Sequence, residues 1–200
     1  MMSIRILLAF LLPLQLFAQV EFSGGLIAGG VTSQVSGDAL AGWDKFGFTG
    51  GAYVHMAYNE SWGTWVGMQY MAKGSAKQAD PENGDFNQFT LILNYIEMPV
   101  MVTRLKGNWR FGLGPSIGFL INQKQVFNGI EYDVNPEFRA YDISGSLSVM
   151  RLIGDKFALE VRGNTSIIPT RPAPAVANPL SYYEQGNYNQ LLMLGLHYRF

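Results

Sequence analysis

The sequence contains no cysteine, so disulfides, thiolate metal sites and cysteine-linked lipids are excluded, and the chain is indifferent to the redox state of its compartment. Charge is scarce as well: Asp, Glu, Lys and Arg make up 14% of residues, against about 25% in an ordinary soluble domain. The basic residues are scattered and the net charge is −1, which leaves no electrostatic footprint for nucleic acid. Two widely separated histidines without cysteine lack metal-ligand spacing, and no motif requires a cofactor. Beyond the N-terminus there is no run of about 18 apolar residues, so transmembrane helices are excluded. What the chain does have is apolar bulk, 48% of residues, with 23 glycines and 14% aromatics. An apolar, charge-poor chain with no spanning helix fits a transmembrane β-barrel, in which only alternate residues meet lipid.

Residues 1–19 have the form of a secretory signal peptide. Arg5 precedes an apolar run from Ile6 to Phe17 broken only by Pro13 and Gln15, and Ala18 and Gln19 offer a small-residue cleavage point. Residues 20–200 then form one domain, a length ordinary for a single β-barrel.

The clearest pattern lies between Leu91 and Ile121, which reads as two long strands joined by a turn at Lys106, Gly107 and Asn108. In the second strand Trp109, Phe111, Leu113, Ile117, Phe119 and Ile121 alternate with Arg110, Gly112, Gly114, Ser116, Gly118 and Asn122. A period of two carried this far suits a tilted membrane-crossing strand better than a strand of a soluble sheet. Further strands read at Glu21–Val31, Phe48–Tyr58, Trp62–Ser75, Phe138–Leu152, Phe157–Ile168 and Tyr188–Phe200. Polar connections lie at Ser36–Phe46, Ala76–Asp85, Gln123–Glu137 and Pro169–Asn187, the third with Val126, Phe127 and Ile130 placed to extend it as a projecting hairpin. The connections alternate long and short. The pattern predicts an all-β fold: an eight-stranded antiparallel up-and-down transmembrane β-barrel with short periplasmic turns and longer extracellular loops.

A soluble barrel would show the same alternation with the apolar face inward, and its outer face would then need Lys and Glu. Here the polar face is mostly Gly, Ser, Asn and Gln, which suits a narrow interior. Tyr58, Trp62, Trp109, Phe157, Tyr198 and Phe200 fall on the apolar face near the short turns, the placement of an interfacial girdle. Pro99 cannot donate to a ladder, and a bulge beside it would shift the phase of the fourth strand. If the phase holds, Glu97 faces Arg110 in the lumen.

The segments Leu93–Val102 (LNYIEMPVMV) and Gly112–Ile121 (GLGPSIGFLI) resemble the core of the PorT-like outer-membrane β-barrel family, often labelled the porin family. The Gly24–Asp38, Trp43–Gly51 and Tyr70–Ser75 segments match it too, so the resemblance covers essentially the whole mature chain. The ending Leu-His-Tyr-Arg-Phe is similar to the terminal signal by which outer-membrane barrels are recognised, with Phe200 as its aromatic end. The resemblance implies residence in the outer membrane of a Gram-negative bacterium and contact with outer-membrane lipid and the barrel-insertion machinery. One branch of the family is associated with a secretion and gliding apparatus, so secretion or envelope proteins are possible partners.

With both termini periplasmic, His55, Arg110, Glu160, Arg162, His197 and Arg199 should line the lumen near that end, with Glu97 higher. Charges inside a low-dielectric barrel must be paired, so these residues read first as a structural network. A gated lumen with titrating histidines is the functional alternative. Eight strands enclose an interior just wide enough for side chains to fill. The leading expectation is therefore a structural or interaction protein acting through its outer loops. A narrow channel for small solutes comes second, and a lipid-modifying enzyme third. No nucleophile, base and orienting acid can be assembled for the last. Gly112, Gly114 and Gly118 lie within a strand, where they make room for bulky neighbours and are no nucleotide fingerprint.

Overall fold

The computed structural model describes residues 20–38, 42–172 and 186–200. The expected signal peptide and most of the Pro169–Asn187 connection lie outside them. Ten strands follow in chain order: β1 (Glu21–Ser36), β2 (Lys45–Ala57), β3 (Trp62–Lys77), β4 (Phe89–Lys106), β5 (Trp109–Phe127), β6 (Ile130–Tyr132), β7 (Tyr141–Ile153), β8 (Phe157–Ser166), β9 (Arg171–Pro172) and β10 (Gly186–Arg199). Eight of them form an antiparallel ring in the order β1-β2-β3-β4-β5-β7-β8-β10, closed by β10 pairing back to β1 from Gly25↔Arg199 to Ser36↔Tyr188. Closure removes the sheet edge, which in hydrocarbon would leave backbone groups without partners.

Residue alternation becomes wall and lumen. Along β4, buried positions run Leu91, Leu93, Tyr95, Glu97, Pro99, Met101 and Thr103, with their neighbours turned outward. The outer wall is a continuous apolar belt, including Val100, Val102, Phe111, Leu113, Leu147, Val161, Leu194 and Leu196. At the periplasmic end the girdle aromatics are exposed, with the Arg104 guanidinium over Trp62 and Arg151 over Trp109, at 5.2 and 5.0 Å from the ring centroids. The turns there are tight for local reasons. Gly107 and Gly154 adopt φ of 59° and 62°, the left-handed region that favours glycine. The Asn59 Oδ1 accepts the Ser61 and Trp62 amides, each at 2.9 Å.

Two strand-level expectations need correction, the inward place of Asn122 and the start of a strand at Phe138. The fourth strand keeps its phase through Pro99; the irregularity lies opposite Asn94 and Tyr95, where Asn122 and Leu120 are the partners and Ile121 is the extra residue of β5. Beyond it the inward parity of β5 flips, and Asn122 is exposed. The prolines act on the ladders instead. Pairing between β3 and β4 skips from Gln69↔Glu97 to Val66↔Val100, and between β4 and β5 from Pro99↔Ser116 to Val102↔Leu113, where Pro115 stands, because neither proline has an N–H to give. Strand β7 starts at Tyr141; Phe138 is instead buried in an apolar cluster with Val35, Leu91, Leu93, Tyr95 and Val134. That cluster folds the β5–β7 connection over the outer end of the lumen.

The projecting hairpin is present. β5 runs to Phe127 and pairs with β6 through Asn128 and Gly129, whose φ of 48° and 82° suit the two-residue turn that Asn-Gly favours. Asn128 is locked to the β3–β4 connection by reciprocal bonds with Gln88: its N–H donates to the Gln88 carbonyl at 2.9 Å, and its Oδ1 accepts the Gln88 amide at 2.8 Å.

Candidate functional site

Inside the ring the polar side chains gather in two layers. In the lower one, toward the periplasmic turns, Glu160 and Arg162 stand on the same face of β8. Arg162 Nε and Nη2 donate to the Glu160 carboxylate at 3.0 and 2.8 Å, and His197 Nε2 lies 2.8 Å from the same carboxylate. The guanidinium lies over the Trp65 ring, 4.6 Å from its centroid, and reaches Gln69 Oε1 at 3.5 Å. Trp65 fits because Gly67 has no side chain: a Cβ there would stand 2.3 Å from the indole.

The upper layer centres on Lys73, which is fully buried. Its Nζ lies 2.9 Å from Glu97 and 3.2 Å from Asp142. Glu97 Oε1 also accepts from Ser116 Oγ at 2.8 Å and Asn164 Nδ2 at 2.7 Å. Asp142 accepts from Ser166 Oγ at 2.8 Å and Asn189 Nδ2 at 2.9 Å. Each buried carboxylate thus meets opposite charge and hydrogen-bond donors, and the ammonium meets acceptors, the condition under which an ion pair persists in low dielectric. Glu97 therefore pairs with Lys73 on β3, and the expected pairing with Arg110 does not occur. Trp65, Arg162, Tyr95, Lys73, Met71 and Met193 fill the lumen with under 2% of their surfaces exposed.

His55 is buried lower down, its Nε2 3.0 Å from Thr103 Oγ1. Arg110 is half-buried with Nη1 3.9 Å from Met150 Sδ, and Arg199 is exposed at the periplasmic mouth, below the packed layers. Neither forms an ion pair among the described residues. The sequence reading omitted Lys73 and Asp142 as network members. The signal was available, since Lys73 shares the inward parity of Gln69 and Asp142 that of Ser144, Ser146 and Ser148. Of the three glycines on β5, Gly118 leaves room for Tyr95, whose ring would be 3.2 Å from a Cβ there. Gly114 instead answers a backbone approach, with the Val100 carbonyl oxygen 2.0 Å from its Cβ position.

The two ends differ in charge. Beyond the outer edge of the ring, Asp38, Asp44, Asp80, Glu82, Asp85, Glu131, Asp133 and Glu137 outnumber Lys45, Lys77, Lys124, Arg139 and Arg171. Around the periplasmic end Arg104, Lys106, Arg110, Arg151, Lys156 and Arg199 outnumber Glu21, Glu60 and Asp155. On the outer side the β5–β6 hairpin and the neighbouring connection display Phe86, Phe127, Ile130 and Tyr132, between 38% and 71% exposed. The Lys124–Glu131 ion pair, at 3.0 Å, crosses the hairpin. No group of His, Cys, Asp or Glu suited to a metal is found among the described residues.

A closed eight-stranded ring with an apolar outside, a polar packed inside and an aromatic girdle defines a bacterial outer-membrane β-barrel. The family model described as "Outer membrane protein beta-barrel domain" matches residues 13–171, and the chain belongs to that family. Among solved structures it is similar to Ail, the attachment invasion locus protein of Yersinia pestis, at 13% identity and a TM-score of 0.55, covering 90% of this chain and 99% of Ail. A second Ail structure, in complex with the heparin analogue sucrose octasulfate, aligns over the same shares with a TM-score of 0.51. Neisserial surface protein A aligns at 12% identity, a TM-score of 0.50 and the same coverage. At these identities the likeness is one of fold. Comparison with curated proteins finds no match.

Proposed function

We propose that this barrel is an interaction protein that presents its outer connections to a partner, with the lumen serving as a structural plug. The observation that carries the reading is the β5–β6 hairpin: a short, locked extension above the membrane whose exposed side chains are apolar and whose surroundings are acidic. Loops on a rigid scaffold are where binding usually resides, and exposed apolar groups clustered together mark contact surfaces. The heparin analogue bound by Ail is a polyanion; the acid excess here favours a partner with basic and apolar groups instead. Placement in the PorT-like branch, and through it a link to secretion or envelope proteins, rests on the Leu93–Val102 and Gly112–Ile121 segments. Insertion through recognition of the C-terminal strand rests on Phe200.

Photo-crosslinking groups placed at Ile130 and Tyr132 in intact cells test this reading. Discrete adducts from both positions, lost when Phe127 and Phe86 are changed to Ser and missing from a control at Tyr58, are the expected result. No adduct from either outer position would overturn it. The channel reading is tested by planar-bilayer recording: packed side chains predict no open-channel steps, and reproducible steps would replace the plug with a pore. Unchanged lipid profiles on deletion and overexpression are expected if the protein is no lipid-modifying enzyme.

A further inference from the structure

The periplasmic mouth holds two arginines that form no ion pair among the described residues. Arg110 and Arg199 together line two adjoining cavities inside the short-turn end, of about 350 and 190 Å³. Tyr53 lines the larger cavity with them and His55 the smaller. Two like charges held together at the entrance of a low-dielectric lumen repel unless an anion lies between them. The carboxylates bordering the cavities, Asp155 on the larger and Glu21 and Glu60 on the smaller, are all exposed at the rim.

His197 points the same way independently. It is 1% exposed, lines the larger cavity, and its Nδ1 has no hydrogen-bond partner among the described residues, while Nε2 is held by Glu160. Tyr53 and Asn108 add a hydroxyl and an amide to the lining.

We propose that this mouth is a binding site for a phosphate group, gripped by Arg110 and Arg199 with His197 at its floor. Guanidinium groups match phosphate oxygens in geometry as well as charge. The site lies among the girdle aromatics, at the depth of lipid headgroups, and opens toward the periplasm. Both an inner-leaflet phospholipid and free phosphate can therefore reach it.

The test uses the full-length barrel in dodecyl maltoside, free of phosphate. One arm titrates inorganic phosphate and follows tryptophan fluorescence, since the Trp65 ring centroid is 6.2 Å from that of His197. The second arm adds phosphatidylglycerol and counts lipids retained by native mass spectrometry. Saturable binding of inorganic phosphate, weakened about tenfold or more in the R110Q/R199Q double variant, assigns a free-phosphate site. Retention of one phosphatidylglycerol that is lost in the double variant, with no saturable phosphate response, assigns a headgroup site. R104Q, an outward-facing arginine stacked on Trp62, should behave as wild type in both arms. Equal behaviour of wild type and double variant in both arms would overturn the proposal. Should the double variant not fold, R199Q alone decides: Arg199 is exposed, its loss leaves the packed lumen untouched, and binding unchanged in that variant also overturns it.

Discussion

Lys73 on β3 forms its ion pair with Glu97 on β4 at 2.9 Å, although the strand register places Lys73 opposite Leu93 and gives Glu97 to Gln69. The lysine side chain crosses four register positions to do so. Strands in a closed barrel are tilted and staggered, so residues that share a height in the lumen are not those that share a rung.

Because Lys73 answers both Glu97 and Asp142, Lys73→Met should cost about 3–5 kcal/mol, the range for leaving a buried charge without its partner. Urea unfolding of the refolded barrel in detergent measures it. The triple variant K73M/E97Q/D142N should recover most of the loss, since it removes the stranded charges together with the cation.

Gly67→Leu should cost about 1–3 kcal/mol through overpacking. Its Cβ alone would stand 2.3 Å from the Trp65 indole, forcing that ring off the Arg162 guanidinium. A change in tryptophan fluorescence alongside a lower unfolding midpoint is the expected signature. Gly163→Leu, on the open outer wall where nothing lies within 4 Å, should leave both unchanged.

In the outer β3–β4 connection the Asp85 carboxyl is held below its ordinary value, first by the hydrogen bond from Lys77 and then by that from the Asn87 amide. A depressed carboxylate stabilises this connection above the unfolded-state value, and the contribution is lost as pH falls through the folded-state value. The Asn87 amide, which donates to Asp85 Oδ1 at 3.0 Å, reports the change in an NMR titration. Its shift should be flat from about pH 7 to 5 and move only in more acid solution, and in Lys77→Met the movement should begin at higher pH.

Phe200 is 76% exposed, with its ring against Tyr198 and its amide donating to the Gly24 carbonyl at 3.0 Å. Phe200→Ala keeps that backbone bond, so stability in detergent should change by no more than about 0.5 kcal/mol. If the residue serves recognition, the amount of folded barrel in outer-membrane fractions should nevertheless fall.

The sequence by itself determined the architecture. Alternation along Leu91–Ile121, the long and short connections and the girdle aromatics are local facts about the chain, and a face that must meet lipid leaves one way to arrange them. The inward parity of Lys73 and Asp142 was equally legible. What only the tertiary structure decided is which inward groups meet. Glu97 pairs with Lys73 and not Arg110, Asp142 gathers Ser166 and Asn189 from two further strands, and Phe138 leaves its strand to cap the lumen. Those choices depend on the stagger fixed when β10 closes on β1. Register of that kind is a property of the whole ring, and no window of sequence contains it.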